Sequence, residues 1–169
     1  MLISTAMIFN TKNVFMIHKY IGFQSTTMKS MFISILIAFL IWGSDNLYQT
    51  LILETDLKVK ALTWHERNPY LMLVFFNTVI IVPIIEEMLF RGIILQTFNQ
   101  YMNKYMSAIL LSVAFALVHY DINQIPILIL ASLIYVWLTY KYNSIVPAII
   151  AHIVNNCITF IYYYHIIGI

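Results

Sequence analysis

The sequence predicts an all-α, polytopic transmembrane helix bundle of about five spanning helices with an N-terminal interfacial segment. Two observations lead there. Of 169 residues, 62% are hydrophobic and only 9% are charged, whereas soluble domains draw about a quarter of their residues from Asp, Glu, Lys and Arg. The apolar residues also gather into runs near the roughly 20 needed to cross a bilayer, divided by short polar breaks. The formal charge of +2 is too small and dispersed for a phosphate-reading stripe, so no nucleic-acid partner is expected. The single Cys157 excludes a disulfide framework and a cysteine metal knuckle.

Taken in order, residues 1–27 form two apolar halves divided by Asn10, Thr11, Lys12 and Asn13, neither long enough to span. No Lys or Arg precedes Lys12, which argues against a cleaved signal peptide and for an interfacial segment. The first span runs from about Met28 to Leu53; a break at Gly43-Ser44 would leave Asp45 at the interface. Glu54 to Asn68 is the one strongly polar stretch and suits a helix at the headgroup boundary, with Trp64 as anchor. The second span begins near Pro69 and runs to about Phe98, longer than one crossing requires. The third covers Lys104 to Tyr120, the fourth Ile122 to Tyr140, and the fifth Ser144 to about Ile166, with Pro147 in its first turn. The chain thus divides into an interfacial segment (1–27), a first helix with a polar amphipathic linker (28–68) and a membrane core (69–166). With five spans, the Lys and Arg of alternate loops lean toward a cytoplasmic amino terminus.

An ionisable residue in hydrocarbon is expensive, so each one in a span is a functional candidate whose partner must be named. They cluster. The second span carries Glu86, Glu87 and Arg91; the third ends on Phe115 and His119; the fifth carries His152, Asn155 and Asn156. Glu87 and Arg91 stand four apart on one helical face and can neutralise each other. Glu86 points about 100° away and has no cation at helical spacing, so its partners must come from other helices. At 1.5 Å per residue from the Phe98–Lys104 connection, Glu86 lies roughly 18–20 Å deep, His119 roughly 22 Å, His152 roughly 12 Å and Asn156 roughly 18 Å. Three helices therefore deliver a carboxylate, two imidazoles and a carboxamide to one layer.

Such a set has the parts for hydrolysis: a base to take a proton from water, an imidazole to assist, and donors for an oxyanion. Glu86, His119 and His152 also match the three-ligand arrangement of catalytic Zn2+, although no HExxH helix is present, and metal binding stays open. His18, His65 and His165 sit in polar flanks or near the end of the last span and read as interfacial. Asn77 and Asn123 read as partners for backbone, and Phe115 as packing beside His119. Asn156 is favoured over Asn155 because it lies one turn from His152 on the same face.

At these residues the chain resembles the CAAX-protease and bacteriocin-processing family of intramembrane proteases, also called Abi or type II CAAX prenyl endopeptidases. The family's EExxxR stands as Glu86, Glu87 and Arg91, its FxxxH as Phe115 and His119, and its HxxxN as His152 and Asn156, all within about Pro69 to Phe160. The resemblance implies that Glu86 with His119 activates the attacking water, that His152 with Asn156 stabilises the oxyanion, and that Glu87 and Arg91 support the site. It implies a membrane-embedded protease acting on a protein or peptide in membrane lipid, expected in a bacterial cell membrane. With little beyond the core helices, prenyl processing of eukaryotic type is not expected. A non-catalytic membrane protein giving immunity to a peptide toxin is the alternative. A proton-relaying transporter is a third reading, without the two matching halves that would support it.

Overall fold

The computed structural model describes residues 22–67 and 70–167, with the side chains of 63–67 and 167 left aside. The expected interfacial segment lies mostly outside these residues, as does Pro69. Among the described residues every regular element is helical: α1 (Met28–Leu51), α2 (Leu57–Arg67), α3 (Leu71–Tyr101), α4 (Lys104–Leu117), α5 (Ile125–Tyr142) and α6 (Val146–Ile167). Four of them, α1, α3, α5 with the short turn before it, and α6, are long and apolar enough to cross a membrane. The expected third span differs: α4 has 14 residues, about 21 Å at 1.5 Å per residue. It starts where the Asn103 side chain accepts from the backbone N–H groups of Tyr105 and Met106.

α1 shows why the outer helices pack as they do. Ser30, Ser34 and Ala38 recur every fourth residue and are buried, with Ile41 one turn on. Small side chains on that face let α6 approach closely, while Phe32, Leu36, Phe39 and Leu40 point outward. The Ser34 hydroxyl folds back onto the Ser30 carbonyl at 2.8 Å, so the stripe carries no unpaired donor there. Contrary to the expected break, α1 continues through Gly43-Ser44. Ser44 Oγ donates to the Leu40 carbonyl (2.8 Å) and Asn46 Nδ2 to that of Trp42 (2.9 Å), so the polar stretch is spent on the helix itself. Asp45 is therefore inside the helix, accepting from Gln49 Nε2 at 2.8 Å.

α2 is the polar linker. Asp56 caps it by accepting from Lys58 N (2.9 Å) and Val59 N (3.2 Å). It docks through fully buried Ala61 and through Lys60, which donates to the Gln49 carboxamide oxygen. At the other end, the extended segment before α1 is fastened to the α5–α6 turn. Ile145 N donates to the Gly22 carbonyl (2.9 Å), and Ser144 Oγ donates to that of Gln24 (3.0 Å). α3 crosses the middle with Val79, Pro83, Glu87, Arg91 and Leu95 buried at a spacing of four, and Ile81, Ile85, Leu89 and Ile93 facing out. The charged residues thus occupy the stripe that the core covers. Below them Phe90, Leu95, Leu111, Phe115 and Val136 form one apolar cluster, and Ile41, Tyr135, Leu138, Ala148 and Ala151 a second.

Candidate active site

The segment bearing the two glutamates, Val82–Glu87, is a short α-helical piece between two π-helical stretches, Phe76–Ile81 and Met88–Ile94. Proline is one local cause. Pro83 has no N–H, so the helix loses a bond there. The wider register shows at each exit: Val82 N–H reaches back to the Asn77 carbonyl and Leu95 N–H to that of Phe90, five residues each. Such insertions swell a helix and re-aim its side chains, which is why they gather at functional sites.

Glu87 and Arg91 form the expected pair. Arg91 NH1 donates to Glu87 Oε1 at 3.1 Å with both side chains fully buried. Arg91 NH2 donates to Ser132 Oγ at 2.7 Å and to the Ser132 carbonyl at 3.2 Å, tying α3 to α5. The guanidinium carbon lies 4.7 Å from the Phe115 ring centre and 5.4 Å from that of Tyr135, a cation held between aromatic faces. A fully buried charge persists only when paired and hydrogen-bonded; Glu87 Oε1 and both terminal nitrogens of Arg91 meet this condition, while Glu87 Oε2 and Arg91 Nε have no hydrogen-bond partner.

His152 on α6 meets both glutamates. Its Nδ1 is 3.0 Å from Glu87 Oε1, so the ring donates Nδ1–H to that carboxylate. Its Nε2 is 3.7 Å from Glu86 Oε2, an ion-pair distance beyond a direct hydrogen bond. The Tyr135 ring stacks on it, centroids 5.0 Å apart. Counting 1.5 Å per residue leaves His152 one turn short of Glu86, yet the two side chains meet, because the π-helical stretch Met88–Ile94 between Glu86 and the end of α3 departs from that rise.

His119 lies past the end of α4, in the turn that follows Leu117. Its Nδ1–H donates to the Phe115 carbonyl at 2.7 Å, which in the neutral ring leaves Nε2 as the acceptor. Phe115 separates the two imidazoles, 4.7 Å from His119 and 6.3 Å from His152 by centroids. Asn156, one turn beyond His152, donates Nδ2–H to the Thr78 carbonyl at 3.0 Å, and Asn155 Nδ2 donates to Asn156 Oδ1 at 3.4 Å. The structure thus brings Glu86, Glu87, Arg91 and His152 into contact, with His119 linked through Phe115 and Asn156 through the α3 backbone. Sequence reasoning passed over Ser132, Tyr135 and Thr78. Pro83 carried the one available signal, since a missing amide leaves a carbonyl to be answered.

The family model for type II CAAX prenyl endopeptidases, Rce1-like, matches residues 68–158, which hold all of these side chains. The chain belongs to that family. Membership implies a CAAX-type intramembrane protease working in lipid on a protein or peptide. No curated protein and no solved structure gives a significant match.

For a CAAX-type protease two features of the surroundings matter. A cavity of about 140 Å³ opens beside Asn156, lined by Thr78, Thr159, Phe160 and Tyr163, mostly apolar with hydroxyl groups at its edge. Among the described residues, no three His, Cys, Asp or Glu side chains form a group able to hold a metal ion. Glu86, His119 and His152 do not form such a group.

Proposed function

We propose that the chain is an endopeptidase that hydrolyses a peptide bond of a membrane-associated protein or peptide with Glu86 as general base. The carrying observation is the contrast between the two glutamates. Glu87 is fully buried and its charge is answered by Arg91 and His152, whereas the Glu86 side chain is 24% exposed and has only the 3.7 Å approach of His152. A base must be able to gain a proton and meet water, and only Glu86 is left free for both.

In this reading water lies against Glu86, its second hydrogen accepted by His119 Nε2. Glu86 takes one proton as the water oxygen bonds to the scissile carbonyl carbon. Passed to His152 Nε2, that proton makes an N–H which, with the second Nδ2–H of Asn156, faces the new oxyanion. Glu87 holds the imidazole by Nδ1, the orienting role that a carboxylate plays toward a catalytic histidine. When the intermediate collapses, the carbon–nitrogen bond breaks and the proton returns through Glu86 to the leaving amine.

The test is cleavage of fluorogenic CAAX-type peptides, farnesylated and unprenylated, by protein purified in detergent. Glu86→Gln is expected to lower kcat by about 10²-fold or more with an unchanged unfolding temperature. Full activity in Glu86→Gln would refute the assignment, and wild-type protein that cleaves neither peptide yet protects cells from a peptide toxin would favour a non-catalytic immunity role.

A further inference from the structure

We infer that Pro83 is a positioning residue: by withholding one amide from α3 it leaves the Thr78 carbonyl open, and that carbonyl fixes the Asn156 carboxamide. The inference deepens the proposed reaction and rests on the oxyanion role given there to Asn156.

A helical carbonyl is taken by the N–H four residues on, or five in a π turn. For Thr78 these are Val82 and Pro83. Val82 N–H donates to the Asn77 carbonyl instead, and Pro83 has none to give. A carbonyl left open in hydrocarbon must find a partner from outside its helix. It finds Asn156 Nδ2–H at 3.0 Å. The Thr78 hydroxyl cannot compete, because it donates to the Val74 carbonyl at 2.8 Å.

The consequence is directional. A carboxamide nitrogen carries two hydrogens in one plane, so tying one to Thr78 and receiving Asn155 Nδ2 on the oxygen at 3.4 Å sets that plane and aims the second hydrogen. Thr78 and Asn156 also share the wall of the 140 Å³ cavity, which places the fixed donor at its edge. An alanine at position 83 would return an amide that continues the five-residue register onto Thr78. Asn156 would then be free to rotate.

The experiment is a cycle of Pro83→Ala, Asn156→Ala and the double variant, read by hydrolysis of the same two peptides and by thermal unfolding in detergent. Pro83→Ala is expected to lower kcat roughly 10-fold at unchanged KM, without lowering the unfolding temperature. Asn156→Ala lowers kcat further, and Pro83→Ala adds nothing in that background. Stability moves the other way: the restored amide recovers part of what Asn156→Ala loses, which a merely packing proline would not do. Pro83→Gly returns the same amide and must behave alike. Unchanged kcat in Pro83→Ala, an equal loss with and without Asn156, or no recovery of stability would each overturn the inference while leaving the proposed reaction intact. Unchanged kcat in Asn156→Ala would remove the oxyanion role itself, and the inference with it.

Discussion

Replacing Arg91 by methionine keeps an apolar stem against Phe115 and Tyr135 but removes the cation that answers Glu87. At 3.1 Å between NH1 and Oε1, two unit charges interact by on the order of 5 kcal/mol at an effective dielectric of about 20. That agrees in size with the 3–5 kcal/mol typical when one partner of a buried pair is deleted. Two hydrogen bonds to Ser132 go as well, while Glu87 keeps only the His152 N–H. We expect Arg91→Met to cost about 3–5 kcal/mol, measured as reversible unfolding in mixed micelles followed by tryptophan fluorescence. Because most of that cost is a stranded charge, adding Glu87→Gln should restore at least about 2 kcal/mol, a strongly non-additive cycle. A single variant within about 1 kcal/mol of wild type, or a double variant weaker than the single, would refute the view that Arg91 exists to neutralise Glu87.

Two other contacts make separate predictions. Lys60→Met strands the carboxamide oxygen of buried Gln49; it should destabilise by about 1–3 kcal/mol and expose α2 to limited proteolysis, and unaltered protection of 52–67 would count against the docking role. Gly22 has φ +85°, and a Cβ there would meet Ile145 Cγ2 at 3.3 Å, so Gly22→Ala should cost about 1–2 kcal/mol; a neutral Gly22→Ala in the unfolding assay would mean that fastening this segment to the α5–α6 turn contributes nothing.

Residues that answer to helical spacing were legible in the sequence. Glu87 and Arg91 pair because they are four apart on one helix, and Glu86 turns to another helix because its own offers it nothing. What escaped is whatever depends on a helix departing from regularity. The run Gly43, Ser44, Asp45, Asn46 reads as a break because small and polar residues usually end helices, yet the Ser44 and Asn46 side chains return to carbonyls of the preceding turn, Asp45 accepts from Gln49, and α1 continues. The two π stretches in α3 have no periodic signature, so the contacts of His152 and the use of the Thr78 carbonyl could not be placed by counting residues. Ser132 is hidden for a plainer reason: a serine in an apolar helix has many uses, and only the arrival of Arg91 from α3 selects one.

The short α4 changes what surrounds the site. A helix of about 21 Å in hydrocarbon about 30 Å thick leaves a mismatch of about 9 Å, which a bilayer meets by thinning or by admitting polar chain below the headgroups. The turn that follows it carries His119, Tyr120 and Asp121, all exposed. A bilayer that matched the short helix would thin toward the imidazole on that flank. The proposed hydrolysis consumes water, and such thinning beside Glu86 and His119 would shorten the path by which both water and the backbone of an anchored peptide arrive.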